Sequence, residues 1–439
     1  MTRVNPHLIL GAGVAGLSAA FHLREPYRIF EATDEYGGVA GSLKIGGFLF
    51  DHAIHVLYTR DPYAEKLIRY LLHDNFQKHT RSSWVYSCGR YIQYPYQAHM
   101  YGLPDAVIKD NLEGLAVAIE GKNKVPPANF EEWIVSTFGP GIARNFMIPF
   151  NEKVWASDLR TMGFDWIADR VTVPDFNDVL EGSRTPSTTQ YGPNAEFWYP
   201  RSGGMSALTT ALAKQVRPVE TGMRCVMIDL KHRQAYFEKG ECYGYSTLIS
   251  TLPLPRLISL LGEGVPDEIR DRAAALRSNR VITVNIGVAR PNISNMHWVY
   301  LPDRDVEFHR ISFPTNFSDS VAPPNTSSIL VEYSESDTRT ISRKDLIERT
   351  IATLIKLNIL EPEDLVLCSN SFVIDPAYVI PNLDHKEAVK EILSWLRSVG
   401  IYSCGRFGTW EYLNMDHSLL SGKEAAEMAT HANAVAVEF

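Results

Sequence analysis

The sequence lacks the patterns that mark several common classes of protein. Its five cysteines are scattered, and no two of them have the spacing of a metal site or a redox motif, so neither a zinc centre nor a disulfide framework is indicated. No apolar run reaches the roughly 18–20 residues of a membrane-spanning helix, and the N-terminal segment shows no signal-peptide pattern. We therefore expect a cytoplasmic, soluble protein with reduced thiols, no metal and no membrane partner.

An excess of positive charge is also missing. The formal net charge is -8 at pH 7, which disfavours a nucleic-acid partner. An anionic ligand must then be held by individual cations near a pocket, against the overall field. The chain has 439 residues, of which 45% are hydrophobic. Because a single core serves at most roughly 250–300 residues, we expect two or three lobes around a shared site.

A glycine-rich turn near the N-terminus is the first chemical motif. The apolar run 7–10 leads into the segment GAGVAG at 11–16, after which apolar residues recur at helical spacing. In such a strand–turn–helix unit the glycines allow the turn, the approach of a pyrophosphate and close helix packing, and the helix N-terminus attracts phosphate. A second strand, 27–30, ends where an acidic residue binds the adenosine ribose. The pattern predicts a dinucleotide site that includes Gly11, Gly13, Ala15, Gly16 and Glu31.

A second glycine cluster indicates which dinucleotide is bound. The segment 31–42, EATDEYGGVAGS, resembles the Glu…GGxxxS motif of FAD-dependent amine oxidases and their relatives. The segments 224–228 and 248–253 resemble later strands of that FAD domain, and 405–410 resembles its last part, followed by a helix from about Asp416 to His431. The resemblance implies FAD as the cofactor and adds these residues to its site: Gly38, Ser42, Val226, Gly405, Arg406, Asn414 and Met415.

Other segments resemble the UDP-galactopyranose mutases, particularly the eukaryotic type. They are NFEEW at 129–133, FMIPFNEKVW at 146–155, YGPNA at 191–195, and the stretches 84–97, 166–174 and 298–300. The resemblance implies an α/β fold with a Rossmann-type, glutathione-reductase-like FAD domain made of residues 1–70, 200–265 and 395–439. A mainly helical substrate domain would span 71–199. An antiparallel β-sheet domain would span 275–390, where the run 281–288 has strand composition.

The same resemblance gives roles to individual residues. Arg170 and Arg310 would hold a diphosphate, because the guanidinium fork matches phosphate oxygens, and with His55 in the loop facing the flavin they are the expected catalytic residues. The uridine pocket would be formed by Tyr94, Gln97, Phe146, Met147, Asn151 and Trp155. The remaining substrate contacts would come from Asn194, Tyr300, Tyr378 and Tyr412.

The activity implied is that of a pyranose–furanose mutase acting on UDP-galactose or a related UDP-sugar. In that family N5 of reduced FAD is the nucleophile toward the anomeric carbon, so the expected partners are a UDP-sugar and NAD(P)H or another reductant. A rival hypothesis is an FAD-dependent oxidoreductase acting on an amine or a polycyclic substrate, which needs no diphosphate clamp. A third is a non-catalytic relative that keeps FAD for structure. The oligomeric state is left open.

Several of the assigned residues also have a structural alternative. Phe146 and Trp155 could be core aromatics. Tyr300, Tyr378 and Tyr412 could each be a packing residue with its hydroxyl satisfied. The two arginines could be ordinary ion-pair partners, and His55 a buried histidine with its hydrogen bonds satisfied.

One loop departs from the mutase pattern. The family has a Gly-Gly-His run facing the flavin, and this sequence has Ala53-Ile54-His55. A β-branched residue resists positive φ, so we expect the loop to be set differently against the flavin. The hypothesis is that Ala53 and Ile54 reshape the sugar pocket toward a substrate other than UDP-galactose.

Overall fold

Two sheets dominate the fold, one parallel and one mainly antiparallel. The computed structural model describes residues 5–121, 125–167, 170–187, 189–192 and 194–437, with side chains up to 431. In this part of the chain, no helix is long and apolar enough to cross a bilayer. The α/β architecture expected from the sequence is confirmed.

The helices are distributed along the whole chain. Their bounds are α1 Val14–His22, α2 Pro62–Leu72, α3 Asp105–Gly121, α4 Phe130–Ile142, α5 Ile148–Trp155, α6 Phe176–Arg184, α7 Ser206–Ala213, α8 Leu254–Leu260, α9 Asp267–Ala274, α10 Leu346–Lys356, α11 His385–Ser398, α12 Gly405–Gly408 and α13 Met415–Val437. One π-helical turn, Ala143–Met147, joins α4 to α5.

The strands of the first half of the chain are β1 His7–Leu10, β2 Tyr27–Phe30, β3 Ser42–Ile45, β4 Phe48–Asp51, β5 Gln77–Thr80, β6 Ser83–Ser87, β7 Arg90–Gln93 and β8 Glu196–Tyr199. Those of the second half are β9 Cys225–Asp229, β10 Gln234–Phe237, β11 Cys242–Gly244, β12 Leu248–Ser250, β13 Arg277–Ser278, β14 Arg280–Val288, β15 Trp298–Tyr300, β16 Arg310–Ser312, β17 Ser327–Glu335, β18 Val366–Ile374, β19 Val379–Ile380 and β20 Ile401–Ser403.

The parallel sheet brings distant stretches of sequence together. Its strand order is β2-β1-β12-β20, so residues 7–30, 248–250 and 401–403 share one sheet. All four residues of β1 are buried, as expected for a strand covered on both faces. Helices α1 and α13 pack together on one face, and α8, α9 and α11 contribute to the core on the other. The carboxyl ends of parallel strands meet at one edge, where α/β proteins bind ligands.

The larger sheet has seven strands in the order β18-β14-β17-β16-β15-β6-β7. All its neighbours are antiparallel except β15 and β6, which run parallel. The predicted strand 281–288 is observed as β14. Strands β6 and β7 come from the range 71–199 that was expected to be mainly helical, yet they complete this sheet, while α3 to α6 pack beside it.

A buried histidine beside this sheet makes stability depend on pH. The backbone N–H of Ser82 donates to Nδ1 of His297, 2.9 Å away. Burial, with His79 nearby, lowers the pKa of His297 to about 4. The unfolded chain therefore binds more protons than the folded chain between the ordinary value of 6.5 and about 4.

We expect the free energy of unfolding to fall as the pH drops through this interval, with His297 contributing up to about 3 kcal/mol. His297→Asn keeps an acceptor near Nδ1 and removes the titration, so its loss of stability between pH 7 and pH 4 should be smaller than that of the wild type. Urea unfolding at a series of pH values measures the difference. Parallel curves for the two proteins would contradict this assignment.

Candidate cofactor and substrate site

A large cavity of about 1700 Å³ lies between the two sheets. One end is lined by the glycine-rich turn, Glu31 and the beginning of β9, and the other by Tyr300, Arg310 and Tyr412. The cavity therefore joins the predicted cofactor site to several predicted substrate residues. Among the described residues, no group of three or more His, Cys, Asp or Glu side chains is placed to hold a metal ion.

The glycine-rich turn has the shape that a pyrophosphate requires. A Cβ on Gly16 would lie 1.9 Å from the carbonyl oxygen of Gly11, so Gly16 is needed for the helix to pack on the turn. A Cβ on Gly13 would meet nothing closer than 3.8 Å, and Gly13 has an ordinary φ of −77°. The protein itself therefore does not require glycine at position 13. A Cβ there would fill the space that α1 leaves at its N-terminus, where a phosphate binds.

Glu31 lies at the end of β2 and faces the same cavity. Its carboxylate accepts hydrogen bonds from the backbone N–H groups of Ala12, at 2.9 Å, and Thr33, at 3.0 Å. These contacts hold the carboxylate beside the glycine-rich turn, as expected for a group that binds ribose hydroxyls. The side chains and backbone at this end of the cavity fit FAD.

The other predicted cofactor residues divide into two groups. Gly38, Ser42, Gly405, Arg406, Asn414 and Met415 lie on the cavity wall, as do Gly11, Gly13 and Ala15. A Cβ on Gly405 would lie 2.6 Å from that of Ala15, so these two residues fix the approach of α12 to α1. Val226 is 40% exposed and does not line the cavity. Its neighbours Met223, Arg224 and Cys225 line it instead.

Helix α13 begins at the cavity, where Asn414, Met415 and Ser418 line the wall. The N-terminus of a helix carries partial positive charge, which favours an anionic group such as a reduced flavin ring. Asn414 donates a hydrogen bond to the hydroxyl of Tyr58, 2.8 Å away, and so ties this helix to the loop after β4. Tyr58 also lines the cavity and was not singled out in the sequence.

Arg310 is held by a carboxylate that sequence reasoning missed. Adjacent strands place Arg310 on β16 opposite Glu332 on β17. The guanidinium makes two hydrogen bonds to the carboxylate, one of them 2.6 Å long from Nη2 to Oε1, and Glu332 is only 1% exposed. Burial opposes the charge of Arg310, but the Glu332 carboxylate beside it raises the pKa of the guanidinium well above its ordinary value. Arg310 is therefore charged and rigidly oriented at the cavity wall.

Three predicted tyrosines share that wall with Arg310. The rings of Tyr378 and Tyr412 lie 5.7 Å apart. Tyr300 on β15 lies directly opposite Arg310 on the neighbouring strand β16. Burial raises the pKa of Tyr300 and of Tyr378, so both phenols stay protonated at neutral pH. The group can thus donate hydrogen bonds to an anion.

Arg170 lies behind this wall rather than on it. Its guanidinium carbon is 4.4 Å from the centre of the Tyr412 ring, and Nη2 donates to the Tyr412 carbonyl. The cation is thus stacked on a wall residue, one layer from the cavity. Its predicted contact with a diphosphate stays a prediction.

The predicted uridine residues form a packed aromatic core. The ring of Phe146 stacks on Tyr96 at 4.6 Å and on Phe150 at 5.3 Å, and Trp155 lies 4.8 Å from Trp166. All six predicted residues lie off the cavity wall, and five are buried, namely Gln97, Phe146, Met147, Asn151 and Trp155, whereas Tyr94 is half-buried.

Two polar atoms in this core are left without a protein partner. Gln97 donates to the carbonyl of Thr172 and Asn151 donates to that of Met147, but Oε1 of Gln97 and Nε1 of Trp155 have no partner among the described residues. Buried polar atoms are rarely left unpaired in native proteins. A ligand that reaches this core can therefore gain hydrogen bonds here.

Asn194 lies on the cavity wall and is held by a second cation that was missed. Nη1 of the buried Arg81 donates to Oδ1 of Asn194 at 2.6 Å, and Nη2 donates to the Tyr191 carbonyl. The Arg81 guanidinium lies 5.0 Å from the centre of the Tyr94 ring. Thr188 and Pro193 of the same segment are outside the described residues. Arg81 thus connects the segment before β8 to the predicted uridine residues.

Most of this chain matches a known protein family. Residues 14–429 match the family described as flavin containing amine oxidoreductase, which is most of the chain. The chain belongs to this family. As a family member it is a flavoenzyme, and FAD is its cofactor.

Solved structures of this flavoprotein's relatives share its whole fold. It is similar to the crystal structure of a reduced UDP-galactopyranose mutase, with a TM-score of 0.93 and 29% identity over 98% of this chain and 94% of that one. A putative protoporphyrinogen oxidase from Exiguobacterium sp. 255-15 has a TM-score of 0.73 and 15% identity over 97% of this chain and 98% of that one. A putrescine oxidase variant has a TM-score of 0.64 and 15% identity over 97% and 99%. The expected resemblance to the mutases is confirmed.

His55 is on the cavity wall of this flavoprotein in a neutral state. Burial, with Arg406 next in effect, lowers its pKa to about 4. Nδ1 lies 2.9 Å from the carbonyl oxygen of Ala53, to which it donates. Because a neutral imidazole carries one proton, Nε2 is then a hydrogen-bond acceptor. A hydroxyl of a ligand can donate to it.

The loop that departs from the mutase pattern takes an ordinary backbone conformation. Neither Ala53 nor Ile54 has a positive φ, so neither position requires glycine in this flavoprotein. Ala53, like Phe372 and Tyr378, packs against a small buried cluster, and both loop residues line the cavity. The side chains of Ala53 and Ile54 therefore occupy cavity space without straining the chain.

Proposed function

We propose that this protein is a flavin-dependent pyranose–furanose mutase acting on a UDP-sugar. The observation that carries the proposal is the wall formed by Arg310, Tyr300, Tyr378 and Tyr412 in the same cavity as the FAD site. An amine substrate, which is a cation at neutral pH, has no need of such an anion-binding wall. The whole-chain similarity to a reduced UDP-galactopyranose mutase supports the same proposal.

When bound in its reduced form, FAD would supply an electron-rich nitrogen, N5, as the nucleophile toward the anomeric carbon of the sugar. The protein residues bind and orient the substrate. Arg310, fixed by Glu332, stabilises the negative charge that grows on the departing diphosphate, and the tyrosine hydroxyls donate to the same group. Retaining UDP in the cleft allows the sugar to be rejoined to it after its ring has changed size.

Neutral His55 provides an acceptor in the cavity. Its Nδ1 proton is donated to the Ala53 carbonyl, so Nε2 can accept a hydrogen bond from a sugar hydroxyl and orient it during ring opening and closure. The six predicted uridine residues would bind the uracil once their side chains separate to admit it. Gln97 and Trp155 have the unpaired polar atoms for that contact.

The deciding experiment is a panel of UDP-sugars incubated with dithionite-reduced protein and analysed by HPLC. Interconversion of a pyranose and a furanose form with reduced protein, and none with oxidised protein, is the expected result. A parallel assay follows oxygen consumption with putrescine and other amines, because the family match gives an amine oxidoreductase as the alternative. Amine-dependent oxygen consumption, with no change in flavin or tryptophan fluorescence on titration with UDP, would overturn the proposal.

The loop Ala53-Ile54-His55, which differs from the mutase pattern, gives a prediction about substrate choice. We expect Ala53→Gly/Ile54→Gly to raise turnover of UDP-galactose about tenfold or more relative to the sugar that the wild type prefers, because the variant removes both side chains from the cavity wall and even one methylene in a pocket changes discrimination by roughly 10–200-fold. The HPLC panel measures the ratio. Ala53→Gly alone is the matched control, and thermal unfolding monitors the stability of both variants. Comparable UDP-galactose turnover by the wild type and the double variant would contradict the hypothesis.

A further inference from the structure

Tyr58 lines the cavity but takes no part in the chemistry assigned to Arg310, His55 and the other tyrosines. It lies in the loop after β4, three residues beyond His55. Its hydroxyl accepts a hydrogen bond from the side-chain amide of Asn414, 2.8 Å away, and Asn414 lines the cavity too. The contact between these two side chains therefore lies at the cavity wall.

Tyr58 is fixed in position by its backbone and by its ring. Leu57, the preceding residue, exchanges two backbone hydrogen bonds with Trp198, at 2.9 and 2.7 Å. The Tyr58 ring packs against the core cluster that includes Ile68 of α2. Burial raises the pKa of Tyr58 to about 12, so the phenol keeps its proton at neutral pH. Tyr58 is therefore a neutral, preorganised hydrogen-bond donor.

The proton of this hydroxyl is not used within the described part of the chain. A tyrosine hydroxyl donates one hydrogen bond and can also accept. Asn414 takes an accepting position, and no described residue accepts the Tyr58 proton. A donor at a partly buried wall gains from an acceptor, so a ligand oxygen in the cavity would complete its hydrogen bonding.

The neighbours of Tyr58 indicate which part of a substrate it meets. Asn414 directly precedes α13, whose N-terminus favours the reduced flavin ring. Tyr412 of the diphosphate wall and Arg170, which is stacked on its ring, are both close enough to influence the pKa of Tyr58. In a mutase the sugar lies between flavin and diphosphate, because it is transferred from one to the other and back. Tyr58 has both as neighbours and so faces the sugar.

We propose that Tyr58 is a substrate-binding residue whose hydroxyl donates a hydrogen bond to one hydroxyl of the sugar. The assignment rests on the proposed mutase activity and adds a contact to the sugar itself, whereas Arg310 and the three other tyrosines act on the diphosphate. A sugar that lacks this hydroxyl leaves the donor without a partner and is bound less tightly. Tyr58 therefore contributes to the choice of sugar, and Asn414 positions it.

Tyr58→Phe, measured in the reduced enzyme with FAD bound, removes the hydroxyl and keeps the ring. We expect KM for the preferred UDP-sugar to rise about tenfold with little change in kcat, because a contact kept throughout the reaction contributes equally to ground state and transition state. The inhibition constant of UDP, which has no sugar, should not change. Tyr91→Phe is the matched control, since its hydroxyl donates to the Leu357 carbonyl at 2.9 Å, burial raises its pKa to about 12 as well, and it does not line the cavity. Both constants should stay at their wild-type values in this control.

UDP-sugars that each lack one hydroxyl identify the contact. For the deoxy sugar without the hydroxyl that Tyr58 binds, the wild type and Tyr58→Phe should have equal KM, and for the others the difference of about tenfold should remain. An unchanged KM in Tyr58→Phe, or a difference that persists for every deoxy sugar, overturns the assignment. An unchanged KM with a shifted flavin midpoint potential would place the hydroxyl against the flavin instead. A wild type that converts none of the UDP-sugars overturns the mutase proposal and this contact with it, so the two failures are distinguishable.

Discussion

Arg310→Lys is expected to lower kcat/KM for the UDP-sugar about 10²–10³-fold in the reduced enzyme, the usual cost of losing one preorganised donor to developing charge. The guanidinium has five donors, two of which are used by Glu332. The remaining donors can meet phosphate oxygens at the same time. A lysine ammonium is a point charge and cannot hold the carboxylate and a diphosphate in one fixed plane.

The Arg310–Glu332 ion pair also affects stability, and its effect on stability can be separated from its effect on turnover. Glu332→Gln leaves Arg310 buried without its counter-charge, and breaking a buried pair costs about 3–5 kcal/mol. Arg290 and Asp364 form a matched control, since Nη2 and Nε of Arg290 each donate to Asp364 at 2.6 Å and neither residue lines the cavity. Arg290→Lys should reduce stability without changing turnover. Urea unfolding and steady-state kinetics measure the two quantities.

A loss of turnover in Arg290→Lys equal to that in Arg310→Lys would show that any weakened ion pair lowers activity. An Arg310→Lys enzyme with wild-type kcat/KM and wild-type flavin content would remove Arg310 from the diphosphate site. The mutase proposal would then lack its main supporting observation, which is the anion-binding wall.

The cofactor end could be predicted because its signals are local in sequence. The turn at 11–16, the strand that follows and Glu31 lie within one unit of about thirty residues, and Gly11 and Gly16 each have a steric reason that the structure shows directly. The distant strands 248–250 and 401–403 were found by resemblance, and they do join the same sheet.

The substrate end was harder to predict because its contacts cross between strands. Glu332 is opposite Arg310 only because β16 and β17 are neighbours, and an acidic residue in an apolar strand was the one signal available. Phe146 and Trp155 were predicted either to form a uridine pocket or to be core aromatics, and both hypotheses place an aromatic side chain in a buried setting. Composition cannot distinguish a packed core from a pocket that opens for a base.

The strands β6 and β7 show a similar limit. Ser83–Ser87 and Arg90–Gln93 are short and lie next to a long helical region, so the sequence suggested one mainly helical domain over 71–199. Their partner is β15, more than two hundred residues further along the chain. Such pairing depends on the tertiary fold rather than on local propensity.

The glycine-rich turn gives the second large effect, because two of its glycines act through different contacts. Gly16→Ala places a Cβ 1.9 Å from the Gly11 carbonyl oxygen, so the turn and α1 must separate. Overpacking of this kind costs at least roughly 1–3 kcal/mol, and a backbone contact cannot be relieved by a rotamer change. We expect this variant to be unstable even without flavin.

Gly13→Ala should fold normally and lose the cofactor. Its φ of −77° suits alanine, and its Cβ meets no protein atom closer than 3.8 Å, but the methyl group projects into the space for the pyrophosphate. We expect FAD affinity to fall on the order of 100-fold, or about 2.7 kcal/mol, with unfolding of the apoprotein unchanged. Flavin-to-protein absorbance and thermal unfolding of the apoproteins measure the two effects. Gly121→Ala, where a Cβ meets nothing within 4 Å, is the control. If Gly13→Ala bound FAD as the wild type does, the pyrophosphate would have to lie elsewhere in the cavity.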